Sequence, residues 1–359
     1  MHLARLKLRD FRNIRRLDVE FEPGFHVLLG RNAQGKTNLL EAVYLLATLR
    51  SFRGVGNAQI IRHERKAFFA GGLAIGQAKN DIRYYWSAAQ RKLTVNEKPI
   101  RRVADYLGAL RTVIFCTEDS LLVNGPAKSR RRFLDLLLTQ TRPGYLDLLH
   151  RYTEALRSRN ALLKRDSPDK VLLDSFTREL VGNGEKLIVA RRELVKKLSP
   201  LIRLGYRKIA AKPEDARIDY APSVREDFAV DLAKSRIREQ RHRSTLVGPH
   251  RDELKLSLDG QAAAQYASEG QKRTFAIALK MAQADYLAGI HGSPPILLID
   301  DVMGELDAGR RAGLVPLISR VGQAFGQVFM TCTEENWPGE LSGNLHRWQV
   351  DEGTVSRGG

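Results

Sequence analysis

One octapeptide limits the folds open to this chain more than any other feature. Gly30-Arg31-Asn32-Ala33-Gln34-Gly35-Lys36-Thr37 follows a short apolar run, Phe25 to Leu29. It precedes a helical pattern with Leu39, Leu40, Val43, Leu46 and Ala47 on one face. The glycines let the backbone turn so that successive N–H groups aim at phosphate oxygens, and Lys36 supplies a charge to the β and γ phosphates. The Thr37 hydroxyl can reach Mg²⁺, and the following helix offers its positive end. Strand, loop and helix in this order predict a nucleotide site from Gly30 to Thr37, with Asn38 beside it on the first helical turn.

A loop that holds phosphate hydrolyses nothing on its own. Ile296-Leu297-Leu298-Ile299 is a buried-strand pattern that ends in Asp300-Asp301. Such a strand delivers Asp300 to the carboxyl edge of a sheet, where it can hold Mg²⁺ directly or through water. Asp301 is then placed to orient or deprotonate an attacking water, which makes Lys36 and Asp301 the candidate catalytic residues. A core strand ending in a solvated acidic turn is the plainer alternative. Tyr266-Ala267-Ser268-Glu269-Gly270-Gln271 precedes an apolar-faced helix and, in isolation, reads as an N-cap region.

The charge is strongly basic and unevenly spread. The 359 residues carry 59 Lys plus Arg against 41 Asp plus Glu, a formal net charge of +18. Residues 1–100 hold 18 basic and 8 acidic side chains, residues 101–250 hold 31 and 19, and residues 251–359 hold 10 and 14. The surplus therefore belongs to the first 250 residues, and a polyanion such as nucleic acid is the obvious partner. An arginine-rich composition is the bland explanation. A hydrophobic content of 43% suffices for ordinary cores and excludes a disordered polycation. The apolar stretches fall far short of the ~20 residues of a membrane helix. The first seven residues alternate charge with apolarity and offer no secretory core. Cys116 and Cys332 read as reduced core residues of a cytoplasmic protein with no membrane partner.

Short strand patterns fill the first third, at Leu3 to Leu8, Leu17 to Phe21, Phe25 to Leu29, about 66 to 95, and Thr112 to Cys116. From about 120 to 240 the pattern turns to Leu-, Arg- and Lys-rich helices, the longest from Asp169 to Leu198 and punctuated by Gly182 and Gly184. Strand–helix alternation resumes from Glu253. One α/β sheet assembled from both chain ends around a helical insert is the expected architecture.

Phosphate loop, Ser268-x-Gly270-Gln271 and acid pair stand in the order of an ABC-type ATPase. Further motifs are narrower: Leu8-Arg9-Asp10-Phe11-Arg12-Asn13, Gly35-Lys36-Thr37-Asn38-Leu39-Leu40-Glu41-Ala42, Ser129-Arg130-Arg131-Arg132-Phe133-Leu134-Asp135, and Gly248-Pro249-His250-Arg251-Asp252. On these the chain resembles the RecF family of bacterial recombination mediators, which carry an SMC-like ATPase head, from residue 3 to about 350. The resemblance implies an α/β, ABC-type (SMC-head-like) P-loop ATPase domain formed by residues 1–120 and 241–359. Residues 121–240 would be an inserted helical lid, without a long coiled coil. It implies ATP and Mg²⁺ as cofactors, with Arg12 and Asn13 approaching the nucleotide. Ser268, Glu269, Gly270 and Gln271 would be a signature that acts on the nucleotide of the opposite subunit. Glu305, Leu306 and Asp307 would form the D-loop, with Thr331 and Thr333 at the switch position. A homodimer formed on ATP, binding to double-stranded DNA and ds/ss junctions, and weak DNA-stimulated ATP hydrolysis follow by the same likeness. So does action with RecO and RecR to load RecA at single-strand gaps.

Some positions depart from the wider ABC pattern. Asp301 stands where a Glu is usual, Gly304 where the D-loop usually starts with Ser, and Thr331 where a His is usual, and Glu118 is only a weak candidate for the Q-loop. Slow turnover, below the typical enzyme median of ~10 s⁻¹, is the expectation. Candidate DNA contacts are Lys128, Arg130, Arg131 and Arg132, which open a helix against its dipole, and Arg191, Arg192, Lys196 and Lys197, about one turn apart on the long helix. A solvated surface with Glu193 as ion partner explains them equally well. A P-loop kinase or a non-DNA ABC ATPase remains the alternative. A kinase explains Lys36 and Asp300 but not Ser268-x-Gly270-Gln271. A transporter subunit has a much shorter loop-to-signature gap than the 232 residues from Lys36 to Ser268.

Overall fold

Along the chain the elements run β1 (His2–Phe11), β2 (Ile14–Glu20), β3 (Gly24–Leu29), α1 (Lys36–Thr48), β4 (Ala67–Ile75), β5 (Lys79–Ser87), β6 (Arg91–Val95), β7 (Lys98–Pro99) and β8 (Thr112–Phe115). Next come α2 (Ala127–Thr141), α3 (Tyr145–Leu163), α4 (Lys170–Ile209), β9 (Ala216–Ala221), α5 (Phe228–His242), β10 (Glu253–Leu258), β11 (Gln261–Ala262) and α6 (Ala263–Tyr266). The last are α7 (Glu269–His291), β12 (Ile296–Asp300), α8 (Ala308–Gln323), β13 (Gln327–Cys332), β14 (Leu345–Asp351) and β15 (Thr354–Arg357). This computed structural model describes residues 1–167, 169–210, 212–323, 326–333 and 345–358, with only the backbone at 305, 317 and 320–323. The chain forms two compact units, Met1–Ser120 with Leu204–Glu214 and Glu269–Gly359, and Leu121–Arg203 with Asp215–Ser268.

The first unit holds two six-stranded sheets. One is antiparallel, in the order β2-β1-β4-β5-β6-β7. Burial alternates along much of it because one face is packed and the other wet, with a break in β1 at the register shift between Leu3 and Arg5 and in β4 at Gly71. Leu17, Leu8, Ala70, Tyr84 and Leu93 lie side by side across it and are all buried. The other sheet has the order β15-β14-β3-β13-β12-β8 and is parallel except at the β15 edge. Helix α1 touches β1 and β4 of the first sheet and β8, β12 and β13 of the second. That position accounts for the burial of Leu39, Leu40, Ala42, Val43, Leu45 and Leu46 on all its sides. Parallel register sets Leu29 beside Cys332 and Asp300 beside Thr331, so the carboxyl ends of β3, β13 and β12 share one edge.

The second unit differs from the helical insert expected over 121–240. It includes a three-stranded sheet, β11-β10-β9, and ends at Ser268. Strand β10 was expected in the head, but it pairs with β9 from Glu253↔Ala221 to Leu258↔Ala216, and Asp259 and Gly260 close its hairpin with positive φ. The long helix also exceeds its predicted end at Leu198. Helix α4 runs 40 residues through Gly182, Gly184 and Pro200. Leu187, Leu194, Leu198, Ile202 and Tyr206 are all buried, and this apolar stripe outweighs the loss of one helical hydrogen bond at an exposed proline.

Burial makes the fold sensitive to acid. His26 on β3 is 1% exposed, stacks between Phe329 and His346 with centroids at 4.8 and 4.7 Å, and accepts a 3.0 Å hydrogen bond on Nδ1 from Trp348 Nε1. Its Nε2 donates to Glu22 O at 2.7 Å. Desolvation pushes its pKa from 6.5 down to about 3, and that of His250 in the second unit to about 4. Between those values and 6.5 the unfolded chain binds the extra protons, so stability is complete above pH 6.5 and falls as the pH drops. The loss is about 1.4 kcal/mol per pH unit for each histidine. The melting temperature is expected to fall between pH 7 and pH 5. His26→Phe should melt lower throughout but with a flatter pH slope, and an undiminished slope would clear His26 of the effect.

Candidate functional site

Backbone geometry makes both loop glycines necessary. Gly30 has φ +154° and a Cβ there would collide with Val350 O; Gly35 has φ +115° and a Cβ would stand 2.9 Å from the Asn13 amide. The loop is pinned from two sides. Gln34 O accepts from Asn13 Nδ2 at 3.0 Å and from Gly353 N at 2.8 Å, and Gln34 Oε1 accepts from Glu352 N at 2.7 Å. Lys36 is buried, and its Nζ donates to Gly30 O at 2.5 Å and Arg31 O at 2.9 Å. Desolvation lowers its pKa, while the nearby Asp301 and Asp300 oppose that shift.

The sheet edge brings the acid pair to the loop. Asp300 Oδ1 accepts from Thr37 Oγ1 at 2.8 Å and Thr331 Oγ1 at 3.0 Å, and Thr331 Oγ1 accepts in turn from Asp301 N at 2.9 Å. Burial raises the Asp300 pKa and the two hydroxyl donors pull it back. Residues Asn32 to Asn38, Arg53, Thr117, Glu118, Asp300, Asp301 and Thr331 line one cavity of about 500 Å³. Among the described residues no group of three or more His, Cys, Asp or Glu side chains converges on a metal position. Two hard oxygens, from Thr37 and Asp300, are nevertheless the protein donor set suited to Mg²⁺, which keeps waters and takes phosphate oxygens for the remainder.

The other expected residues divide. Arg12 is not in the cavity: its Nε and Nη2 bind Glu41 at 2.8 and 2.7 Å, and Nη1 donates to Gln59 O at 2.7 Å. Glu41 is fully buried and also takes the Ser51 hydroxyl, so this carboxylate fixes the guanidinium in place. Asn13 buttresses the loop from outside the cavity. Thr333 is exposed one residue beyond the end of β13, outside the lining, whereas Thr331 is buried at the cavity wall. Glu269, Gly270 and Gln271 do not line the cavity; they open α7, where Gln271 Nε2 donates to Glu214 Oε1 at 2.7 Å and Arg310 lies against Gly270. Ser268 is exposed. In the expected D-loop Leu306 is buried, Asp307 pairs with Arg310, and the Glu305 side chain lies outside the described positions. Two lining residues escaped sequence reasoning. Arg53 Nη1 donates to Asn38 Oδ1 at 3.1 Å and stands 3.7 Å from Glu41, and Thr117 follows β8. A glutamate on the buried face of α1 was the available signal, because a buried carboxylate needs cations.

The sequence model described as RecF/RecN/SMC N terminal domain matches residues 2–354. The DNA replication and repair protein RecF of Symbiobacterium thermophilum is 37% identical over 377 residues, covering 99% of this chain and 98% of that protein. The chain belongs to the RecF family. Its counterpart in Geobacter sulfurreducens is 35% identical, covering 93% of each. Among solved structures, the recombination mediator protein RecF with ATP in the RecFOR pathway superposes with a TM-score of 0.90 at 30% identity, covering 100% of this chain and 98% of that one. The Smc head domain of Pyrococcus furiosus, with an extended coiled coil, reaches 0.59 at 14% identity and shares the fold alone. The first unit's architecture is accordingly that of an ABC-type, SMC-head-like ATPase.

In this RecF-family chain the candidate DNA-contact residues lie in the second unit and differ in availability. Arg130 is bound to Glu253 at 2.7 Å, and Arg131 donates to Asp252 O at 2.6 Å. Arg191 is 3% exposed in its side chain, bidentate to Asp135 at 2.9 Å and donating to Pro249 O at 2.7 Å. These three are committed inside the unit. Lys128, Arg132, Arg192, Lys196 and Lys197 are exposed. Glu193 pairs with Arg142 at 3.0 Å rather than with its neighbouring arginines. No helix among the described residues is long and apolar enough to cross a membrane.

Proposed function

We propose that this chain is an ATP-gated DNA-binding protein of recombinational repair, working in the cytoplasm. Two copies close on two ATP molecules, hold duplex or ds/ss junction DNA, and let go when slow, DNA-stimulated hydrolysis resets them. In this reading the first unit is the ATPase head and the second its lid. RecO and RecR act beside it and RecA is loaded downstream. The observation that carries the reading is the meeting of the Gly30–Thr37 loop with Asp300 and Thr331 at one sheet edge. The exposed cations of the second unit and the basic first 250 residues support a polyanionic partner.

Each residue has a defined task. The loop amides and Lys36 hold the phosphates, and to reach them Lys36 gives up its bonds to Gly30 O and Arg31 O. Thr37 and Asp300 would hold Mg²⁺, which when bound neutralises phosphate charge in the transition state. Asp301 takes the proton of the attacking water as its oxygen bonds the γ-phosphorus and the bridging P–O bond breaks, leaving the electron pair on ADP. Thr331 fixes Asp300 and the Asp301 backbone together.

The test is to measure DNA affinity and oligomer size together, with ATP, with ADP and without nucleotide. Tight DNA binding confined to an ATP-bound dimer is expected, and Lys36→Met should remove nucleotide binding and the dimer with it. A strict monomer that turns over ATP without regard to DNA would defeat the proposal.

A further inference from the structure

The wet face of the antiparallel sheet carries a row that none of the nucleotide-site residues uses. Strand register sets Arg16, Arg9, Phe69, Tyr85 and Lys92 side by side across β2, β1, β4, β5 and β6. Two aromatic residues thus stand opposite each other on neighbouring strands with cations at both ends. Gly71 lets the first of them lie down: a Cβ at Gly71 would stand 2.9 Å from Phe69 Cζ, so the ring leans along β4 instead of standing off the sheet. Phe69 lines two depressions, one of about 570 Å³ on the β2 side and one of about 500 Å³ that Tyr85 also walls.

The charge around the two depressions is one-sided. The two depressions are lined by six cations, Lys7, Arg9, Arg15, Arg16, Arg65 and Lys66, against two carboxylates, Asp10 and Asp18. Both carboxylates are already engaged: Asp18 is 2.6 Å from Arg5 and 3.5 Å from Lys7, and Asp10 is 3.6 Å from Arg65 and 3.8 Å from Arg9. Among the described residues Arg15, Arg16, Lys66 and Lys92 have no carboxylate within ion-pair distance. An acidic surface would satisfy the cations, but it gives no reason for two partly exposed aromatic residues in one row. A duplex offers phosphates but keeps its ring faces stacked inside. Unpaired bases on a phosphate chain match both features at once, since aromatic side chains on a sheet stack two or three splayed bases while flanking cations meet the backbone.

We propose that this sheet face binds single-stranded nucleic acid, with consecutive bases on Phe69 and Tyr85 and phosphates against Arg9, Arg16 and Lys92. Cross-strand neighbours stand ~5 Å apart at Cβ, which lets two successive bases engage the two rings. The inference rests on the proposed function only in taking a nucleic acid as the polyanion. It adds a surface distinct from the exposed cations of the second unit.

The test is fluorescence anisotropy on the full chain at one fixed salt concentration, with labelled dT20, rU20, a 20-mer with an abasic centre, a 20-base-pair duplex and a poly-glutamate peptide. Binding of dT20 should exceed that of the abasic strand by about tenfold or more. Phe69→Ala and Tyr85→Ala should each weaken dT20 about tenfold and leave the duplex unchanged. Phe69→Leu, which keeps apolar bulk without a ring face, should lose as much while its circular dichroism and melting match the unaltered protein. Tighter binding of rU20 than dT20 would name RNA as the source and support the same surface. Equal affinity for intact and abasic strands, an equal loss on duplex, or preference for the acidic peptide would each overturn it. If ATP-dependent duplex binding is absent while dT20 still needs Phe69, the proposed function falls and this surface stands. ATP-dependent duplex binding with dT20 indifferent to Phe69 and Tyr85 would remove this surface and leave the proposed function in place.

Discussion

Asp301→Asn is expected to slow ATP turnover roughly 10²–10⁴-fold while leaving ATP affinity nearly unchanged. Its side chain borders the 500 Å³ cavity, but the hydrogen bonds that knit loop to sheet edge run through Asp300, Thr37 and Thr331. The two aspartates are therefore separable. Asp301 has φ 58° and starts a 3-10 turn, a left-handed conformation that asparagine tolerates as well as aspartate, so the substitution removes the base with little change of backbone. Asp300→Asn should do the opposite and weaken Mg²⁺-dependent ATP binding, because an amide is a poor ligand for a hard cation and its NH₂ would face the Thr37 or Thr331 hydroxyl. Single-turnover hydrolysis beside equilibrium binding of a non-hydrolysable analogue separates the cases. Unslowed hydrolysis by Asp301→Asn would move the base elsewhere, with Glu118 the next carboxylate on the cavity.

The loop and the acid strand were legible because their chemistry is local. A glycine with φ above +100°, a buried four-residue apolar strand and a helix start each leave a mark within a few neighbours. Arg12 was not legible for the opposite reason. Nothing within its own hairpin announces that Glu41, 29 residues on and fully buried, will claim its guanidinium. Arg191 repeats that lesson. Its neighbours Arg192, Lys196 and Lys197 are exposed, yet it points inward to Asp135, so a run of like charges on a helix reads as one surface only when the helix face is known. The missed strand β9 has only six residues, and its partner β10 lies 32 or more residues further along. Such pairing is set by tertiary contact and not by local pattern. Pro200 shows the same override in helix form, where propensity argued for a stop and a long buried stripe carried α4 onward.

Ser268→Arg should abolish ATP-induced dimerisation while each monomer still binds ATP. Ser268 is exposed immediately before the N-terminus of α7, where Gly270 lies against the Arg310 guanidinium. A γ-phosphate brought by a second copy would meet that positive end and the serine hydroxyl together. The long arginine side chain fills the approach, and its attraction for phosphate does not compensate, because the hydroxyl and amides then stand beyond hydrogen-bond reach. Ser268→Ala, which removes one hydroxyl and adds no bulk, should weaken the dimer by only about tenfold. Sedimentation with and without ATP reads the oligomer, and nucleotide titration at low protein concentration reads the monomer. If Ser268→Arg lost ATP binding with its fold intact, the serine would act on its own subunit's nucleotide. If it dimerised as before, the contact between copies would lie away from α7. Loss of the dimer alone makes turnover depend on protein concentration in the unaltered chain and not in the variant. That difference is what a gate closed by two copies requires.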